Sequence, residues 1–413
     1  MKKLLALVLA ACMLLALAAC SGSDDKTQGS EQPSDSQQPS GEAKDTLYVA
    51  IGADVQNLDP YLTSSAFVIH NREAREAAGS DAAFLEHPIG TGPYAFAERK
   101  TGESVTLKAN PDHFAIVPEI PNVVYKVITD PNTISIAVEA GEIDLAGYGS
   151  SVPSTNLALL EENENLNVDY YDSITTNYIT FNTEVAPFDN KLVRQAIAYS
   201  IDKQFLIDVT EDGHGTIATA MTNSLVFGHP ASLEGYSYDV DKAKELLAEA
   251  GYPGGAGLDS YEFKVMEGKS QTAAQGVQNN VAQIGINLEI QTMEKNAYLA
   301  DVLSGSYSIA YLGITLGTDA AVYSQIYTTP NINGLNSARV ANAEVDQMFS
   351  DAEVTNVESE RLSAYEKVFA VVEEECYYAP LYHPQNAYIS SKNIVLGKVY
   401  PSTLYMYQVT LAK

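Results

Sequence analysis

From Thr46 onward, short runs with strand character alternate with runs of helical apolar spacing. That alternation restricts the fold more than any other feature of the chain, because it points to a sheet covered by helices. Residues 46–54 alternate apolar and polar positions as a half-buried strand does, and a turn at Asn57-Leu58-Asp59-Pro60 follows. Residues 72–78 predict a short helix, and residues 87–94 a Gly/Pro-punctuated loop. Strands are expected over 104–109 and 122–128, a helix over 131–140 with Gly141 suited to its C-cap, and a short strand over 143–145. Further strands over 178–181, 262–266 and 287–291 alternate with helical runs over 191–209, 241–250 and 273–284. The order contains no repeat, and the class is α/β.

The N-terminus fixes the compartment. Lys2 and Lys3 precede an apolar run over 4–17, and Leu17-Ala18-Ala19-Cys20 forms a small-residue cleavage site ending in cysteine. This resembles a bacterial lipoprotein signal, cut before Cys20, whose thiol then carries the lipid. Residues 1–19 are therefore expected to be the signal peptide. Residues 20–45, rich in Ser, Gln, Gly, Pro and acids, are expected to be a lipid-anchored disordered linker. The body would be extracytoplasmic and tethered to the cell membrane, at the surface or in the periplasm. An ordinary signal peptide with a chance cysteine, or an N-terminal membrane helix, is the alternative.

Composition excludes several functions. With 24 Lys+Arg against 53 Asp+Glu and a net charge of −29, nucleic acid and anionic membrane surfaces are poor partners. Of three cysteines only Cys376 lies in the body, which leaves no disulfide framework and no multi-cysteine metal site. No Gly-x-Ser-x-Gly or His-Glu-x-x-His occurs, and His70, His87, His113, His214, His229 and His383 are scattered singly. Glu373 and Glu374 read as a solvated helix face, and Gly90-Thr91-Gly92-Pro93 as a tight turn without the Lys-Ser/Thr of a phosphate loop. No enzyme, cofactor or metal site is expected. In 191–209 the apolar residues Leu192, Val193, Ala196, Ile197 and Ile201 make a buried stripe, with Arg194 and Asp202 as polar contacts at its edges.

Several segments in one order resemble solute-binding protein family 5, the peptide/nickel branch of ABC-transporter binding proteins. They are Leu58-Asp59-Pro60, residues 87–94 with 107–114, Gly141-Glu142-Ile143-Asp144, Phe181-Asn182-Thr183 with 187–203, residues 238–252, Ile284-Gly285-Ile286 and Glu344-Val345-Asp346. The resemblance implies a two-lobed periplasmic-binding-protein-like (type II) fold with hinge-linked lobes. Lobe one would comprise 46–172 with a return over about 381–413, and lobe two 173–380. Relatives carry a longer stretch between the Leu-Asp-Pro turn and the 87–94 loop. Here only residues 61–86 stand between them, so a unit of about 100 residues is missing, with its junction near 63–67, and the first lobe is shortened. The implied function is capture of peptide or peptide-like solutes and delivery to ABC permease subunits driven by a cytoplasmic ATPase, by a monomer held to the membrane through its anchor. A nickel- or haem-binding relative, or a repurposed surface lipoprotein that keeps only the scaffold, is the alternative.

In peptide-binding relatives an Asp of lobe two holds the peptide amine, and in the dipeptide branch an Arg holds the carboxylate. Residues 307–320 resemble the first region, but Ile314 replaces its Trp and Gly317 its acid, leaving Asp319 as the nearest substitute. Residues 294–301 resemble the second, with Asp301 at the place of the Arg. An unpaired buried charge is costly, so a short zwitterionic dipeptide fits poorly; a longer peptide, or a neutral or cationic solute, fits better. With no Trp and 26 Tyr, the candidate wall residues are Tyr311, Tyr323 and Tyr327, together with Asn336, although core packing is equally open to each tyrosine.

Overall fold

Leu47 and Val49 point to one side of the opening strand and Tyr48 and Ala50 to the other, and both sides are covered. The computed structural model describes residues 44–53, 72–147, 150, 152–401 and 403–413. Cys20, the signal, the linker up to residue 43, the Leu58-Asp59-Pro60 turn and the expected junction lie outside them.

The elements run β1 (Thr46–Ile51), α1 (Arg72–Ala78), α2 (Asp81–Glu86), β2 (Tyr94–Lys100), β3 (Ser104–Ala109), β4 (Asn122–Val127), α3 (Pro131–Glu139), β5 (Leu145–Ala146), α4 (Ser154–Glu161) and β6 (Leu166–Asp172). They continue with β7 (Thr176–Phe181), α5 (Lys191–Ser200), α6 (Lys203–Glu211), β8 (Gly215–Ile217), α7 (Val240–Glu249), β9 (Ser260–Met266), α8 (Lys269–Ala282), β10 (Asn287–Met293), α9 (Lys295–Ser304), β11 (Ile309–Ile314), the single turn α10 (Ser324–Tyr327), α11 (Ala343–Val354), α12 (Glu358–Glu375) and β12 (Tyr378–Ser391). One sheet runs β10-β9-β11-β7-β12-β5-β1-β4-β3-β2, with β6 and β8 added on β12.

The 14-residue β12 belongs to both lobes. Its first part pairs β7 and β8, and its second part, from Gln385 to Ser391, pairs β6. Pro380 sits at a register shift, where a residue without an N–H costs the ladder least. In the first lobe, β1 lies parallel to β4 and β5, with α3 and α4 on one face. Ile394, Leu396, Met406 and Val409 of the C-terminal return close the other face. In the second lobe Ile179 and Phe181 of β7 face α5–α8, while Tyr178 faces Tyr327, Phe349 and Phe369 of the α10–α12 layer. Ile89, Phe114 and Val117 of the first lobe are exposed.

Several motif residues brace this frame. Asp144 Oδ2 accepts the Tyr48 N–H at 2.8 Å and its other oxygen binds Lys44, which ties the turn before β5 to β1. Asn182 Nδ2 donates to the carbonyls of Gly305 and Tyr307 at 3.0 and 2.9 Å. Arg194, 2 % exposed, donates to the carbonyls of Phe188, Asp189, Glu375 and Cys376, so it caps the C-terminus of α12 from inside the protein.

Two expectations change. The helical run over 191–209 is broken: Ile201 is extended (φ −97°, ψ 120°), and Asp202 starts a new helix by accepting the Phe205 N–H at 3.0 Å. The N-cap bond offers the backbone more here than a continued turn, and it lets Ile201 drop into the core. Glu373 and Glu374 do not share a solvated face. Glu374 pairs with Lys191 at 2.9 Å, whereas Glu373 turns inward toward Lys203, and burial raises its carboxyl to about 7.

Candidate functional site

Residues 173–175 join β6 to β7, and Tyr382–Gln385 of β12 join the part of that strand paired with β7 and β8 to the part paired with β6; the two crossings are laced together. The Ser173 N–H donates to the Pro384 carbonyl at 3.3 Å, and Asn223 Nδ2 to the Ser173 carbonyl at 2.6 Å. Thr175 and Thr315 join their hydroxyls at 2.7 Å. His383 Nδ1 lies 3.1 Å from both the Thr175 carbonyl and the Thr176 hydroxyl oxygen. The Thr176 hydroxyl proton is committed to the Met221 carbonyl at 2.8 Å, so both neighbours of Nδ1 are acceptors and Nδ1 carries the hydrogen. Burial pushes the imidazole down to about 4, which keeps the hinge histidine neutral.

Parallel strands of both lobes direct their carboxyl ends to this crossing, the place where α/β sheets offer ligand sites. A cavity of about 150 Å³ opens there. Gly147, Leu157, Tyr170 and Gln385 line it from the first lobe, and Glu211, His214 and Lys269 from the second. Lys269 heads α8 directly after β9, and its Nζ meets Glu211 Oε2 at 3.0 Å. The Tyr382 hydroxyl donates to Glu211 Oε1 at 3.3 Å and lies 2.9 Å from the Tyr311 hydroxyl. The rings of Tyr170 and His214 stack with centroids 3.5 Å apart and planes 2° apart. Tyr170 donates to Glu161 at 2.8 Å; burial first, and that bond second, raise its phenol well above the usual range. Gly147 has φ +100°, and an added Cβ would stand 2.1 Å from the Ala387 carbonyl oxygen. Only glycine lets the end of β5 approach β12 this closely.

The residues singled out from sequence fall into three groups. Asp319 and Gly317 are partly exposed on the segment after β11. Asp319 is already engaged: it accepts the Ala321 N–H at 2.9 Å and pairs with Arg361. Tyr311 is 3 % exposed and reaches the cavity only through its link to Tyr382 and Glu211. Tyr323 and Tyr327 are packed among Phe349 and Phe369. Asn336 is fully buried and bonds the carbonyls of Thr328 and Val340. Asp301, at the place of the carboxylate-binding Arg, pairs with Lys264 at 2.7 Å. Nothing in the sequence pattern marks Tyr170, Glu211, Lys269 or Gln385, and His214 stands there only as one of six scattered histidines; they come together only through the strand crossing. The available signal was positional, since Lys269 follows the carboxyl end of a strand.

Among the described residues no group of three or more His, Cys, Asp or Glu could hold a metal ion, and no helix is long and apolar enough to cross a membrane. The profile described as "Bacterial extracellular solute-binding proteins, family 5 Middle" matches residues 21–334. The chain is similar to the oligopeptide-binding protein AppA of Bacillus subtilis, with 29 % identity over 76 % of this chain and 60 % of that protein. It is also similar to heme-binding protein A of Haemophilus influenzae, with 28 % identity over 74 % of this chain and 56 % of that one. The chain thus spans only about 60 % of the length of these curated relatives. Among solved structures, AppA of Bacillus subtilis with a nonapeptide has a TM-score of 0.63 at 28 % identity, covering 82 % of this chain and 71 % of that one. HbpA2 from Haemophilus parasuis has a TM-score of 0.76 at 24 % identity, covering 86 % and 72 %, a likeness of fold.

Proposed function

We propose that this chain, which belongs to the bacterial extracellular solute-binding proteins of family 5, binds an oligopeptide-like solute between its lobes and presents it to an ABC importer. The observation that carries the reading is the meeting of parallel-strand carboxyl ends from both lobes at one cavity across two crossing segments. The likeness to a relative solved with a nonapeptide supports a peptide as the class of solute. Closure of the lobes follows from tighter binding to the closed form than to the open one. We extend the reading to the N-terminus: Cys20 carries the lipid and residues 20–45 act as the tether, so that the body works at the outer face of the cell membrane. Asp319 and Gly317, on the segment after β11 and outside the cavity lining, would meet only a solute long enough to extend past the crossing, with no covalent chemistry required of them.

A thermal-shift screen of the full chain tests this, using peptide pools of graded length, nickel–histidine, haem and small oligosaccharides. A ligand at about 100 times its dissociation constant adds ~2.7 kcal/mol to stability. A shift with one peptide length class is expected. A shift with haem alone would replace the peptide reading by that of the haem-binding relatives, and a cooperative melt with no shift at all would leave a scaffold without transport.

A further inference from the structure

The exposed apolar residues of the first lobe gather at one end of its sheet. Phe114 is 85 % exposed, Val117 60 % and Ile89 53 %, and Ile116 stands beside them in the chain. Loops 87–93 and 110–121 carry these residues, and the Asn110 N–H donates to the Pro93 carbonyl at 2.8 Å, which sets the loops side by side. Loop 110–121 leads from the end of β3 into the start of β4. Since Thr46 of β1 is in register with Asn122 of β4, this is also the end at which β1 begins. His113 Nδ1 accepts the Ile116 N–H at 2.9 Å, a turn that leaves Phe114 on the outside. From Phe114 to Pro118 no side chain is charged, in a chain of net charge −29.

The place where the anchored segment joins the body says what this patch meets. Lys44 binds Asp144, just before β5, and the carbonyl of Asp45 accepts the Asn122 N–H at 3.0 Å, so the chain enters at the same end of the sheet as the patch. A tether of the length of 21–43 reaches roughly 25 Å, which holds that end beside the bilayer at a roughly millimolar effective concentration. The cavity stands at the opposite end, because Val49 is level with Leu145 and Gly147 follows past the carboxyl end of β1. We propose that Phe114, Val117, Ile116 and Ile89 make a second contact with the membrane that Cys20 is anchored to, entering the boundary between headgroups and acyl chains. This rests on the reading of the N-terminus as a lipid-anchored tether. The surface it fits is zwitterionic, since the acidic body repels anionic headgroups while the uncharged patch gains by burial in the lipid boundary. In that pose the cavity faces away from the bilayer, toward incoming solute, and release of so small a patch lets the body turn for delivery.

The chain has no tryptophan, so Phe114→Trp supplies a single reporter. The lipidated full chain carrying it is bound to phosphatidylcholine vesicles with and without lipids brominated along the acyl chains, and Val354→Trp on α11 of the second lobe, an exposed position, serves as the control. On vesicles the indole at position 114 should shift to the blue and lose most of its emission to the brominated lipid, while the control keeps its emission. Adding Ile89→Asp and Val117→Asp to Phe114→Trp should abolish the quenching although the chain still floats with the vesicles. A chain that floats but whose indole at 114 is quenched no more than the control overturns the proposal and leaves the anchor standing; a chain that does not float overturns both. An indole already shifted to the blue without vesicles, with a doubled mass in light scattering, also overturns it and gives the patch to a second copy. No solute enters the experiment, so its outcome is independent of the transport reading.

Discussion

Arg361 of α12 lays Nη2 2.8 and 3.0 Å from the two carboxylate oxygens of Asp319, and its guanidinium rests 4.8 Å from the centre of the Phe227 ring. The acid that the sequence resemblance puts nearest to an expected amine site is therefore neutralised by a residue 42 positions away in the same chain. A solute amine could use Asp319 only by displacing Arg361. The pair is partly exposed, with side chains 24 % and 42 % accessible, so a double-mutant cycle of Arg361→Gln and Asp319→Asn on the ligand-free protein should give a coupling of only ~0.5 kcal/mol. For binding, Arg361→Gln should strengthen a free-amine peptide relative to its N-acetylated form. Titration calorimetry with the two forms of one peptide checks this, and equal changes for both would remove Asp319 from the site.

His383 should make stability depend on pH over a defined window. Its folded value of about 4 lies below the ordinary 6.5, so the unfolded chain takes up a proton first as the pH falls. The stability this group contributes is complete above 6.5 and is lost progressively down to about 4, amounting to ~3 kcal/mol. Urea unfolding at several pH values, compared with His383→Gln, should show the extra slope only in the parent; parallel curves would mean that the hinge histidine is not held neutral.

Arg194 carries no solute in this reading, yet its loss should be among the most damaging changes. Arg194→Ala leaves four carbonyls at the junction of α5 and α12 without their donor, two of them in buried bonds, and a cost of ~3–5 kcal/mol is expected. Lys should fail to rescue it, because one ammonium cannot reproduce the guanidinium fork. Denaturant midpoints of the two variants decide the matter, and a Lys variant as stable as the parent would refute the capping role.

Gly147→Ala is expected to destabilise by ~1–3 kcal/mol through a left-handed backbone and the clash with the Ala387 carbonyl. Gly141→Ala has the same sign of φ (+73°) but open space around it, so it should cost less. A larger midpoint loss at 147 than at 141 is the result to look for.

Sequence pattern and structure agree where the signal is local. The strands expected over 104–109 and 287–291 and the helix expected over 131–140 are found at Ser104–Ala109, Asn287–Met293 and Pro131–Glu139, where alternation and apolar spacing are plain. β2 and β6 escaped because half-buried positions beside polar ones blur a period of two. The split at Ile201–Asp202 escaped because the apolar stripe runs on through it, and only the cap shows the break. The cavity was the least legible part. Tyr170, Glu211, Lys269 and Gln385 belong to four elements, and the tyrosines chosen for their chemistry lie in the core, where a large amphipathic ring is equally at home.

One strand that serves both lobes has a consequence for how the protein comes apart. Since β12 supplies a central ladder partner to β7 and to β6 at once, melting of one half loosens the strand on which the other half also pairs. Calorimetry should show a single transition, with van't Hoff and calorimetric enthalpies equal. By the same logic, a fragment ending before residue 378 would lack the strand that joins β10-β9-β11-β7 to β5-β1-β4-β3-β2 and should melt at lower denaturant without cooperativity between them, whereas a synthetic peptide spanning Tyr378–Ser391 should restore the single transition.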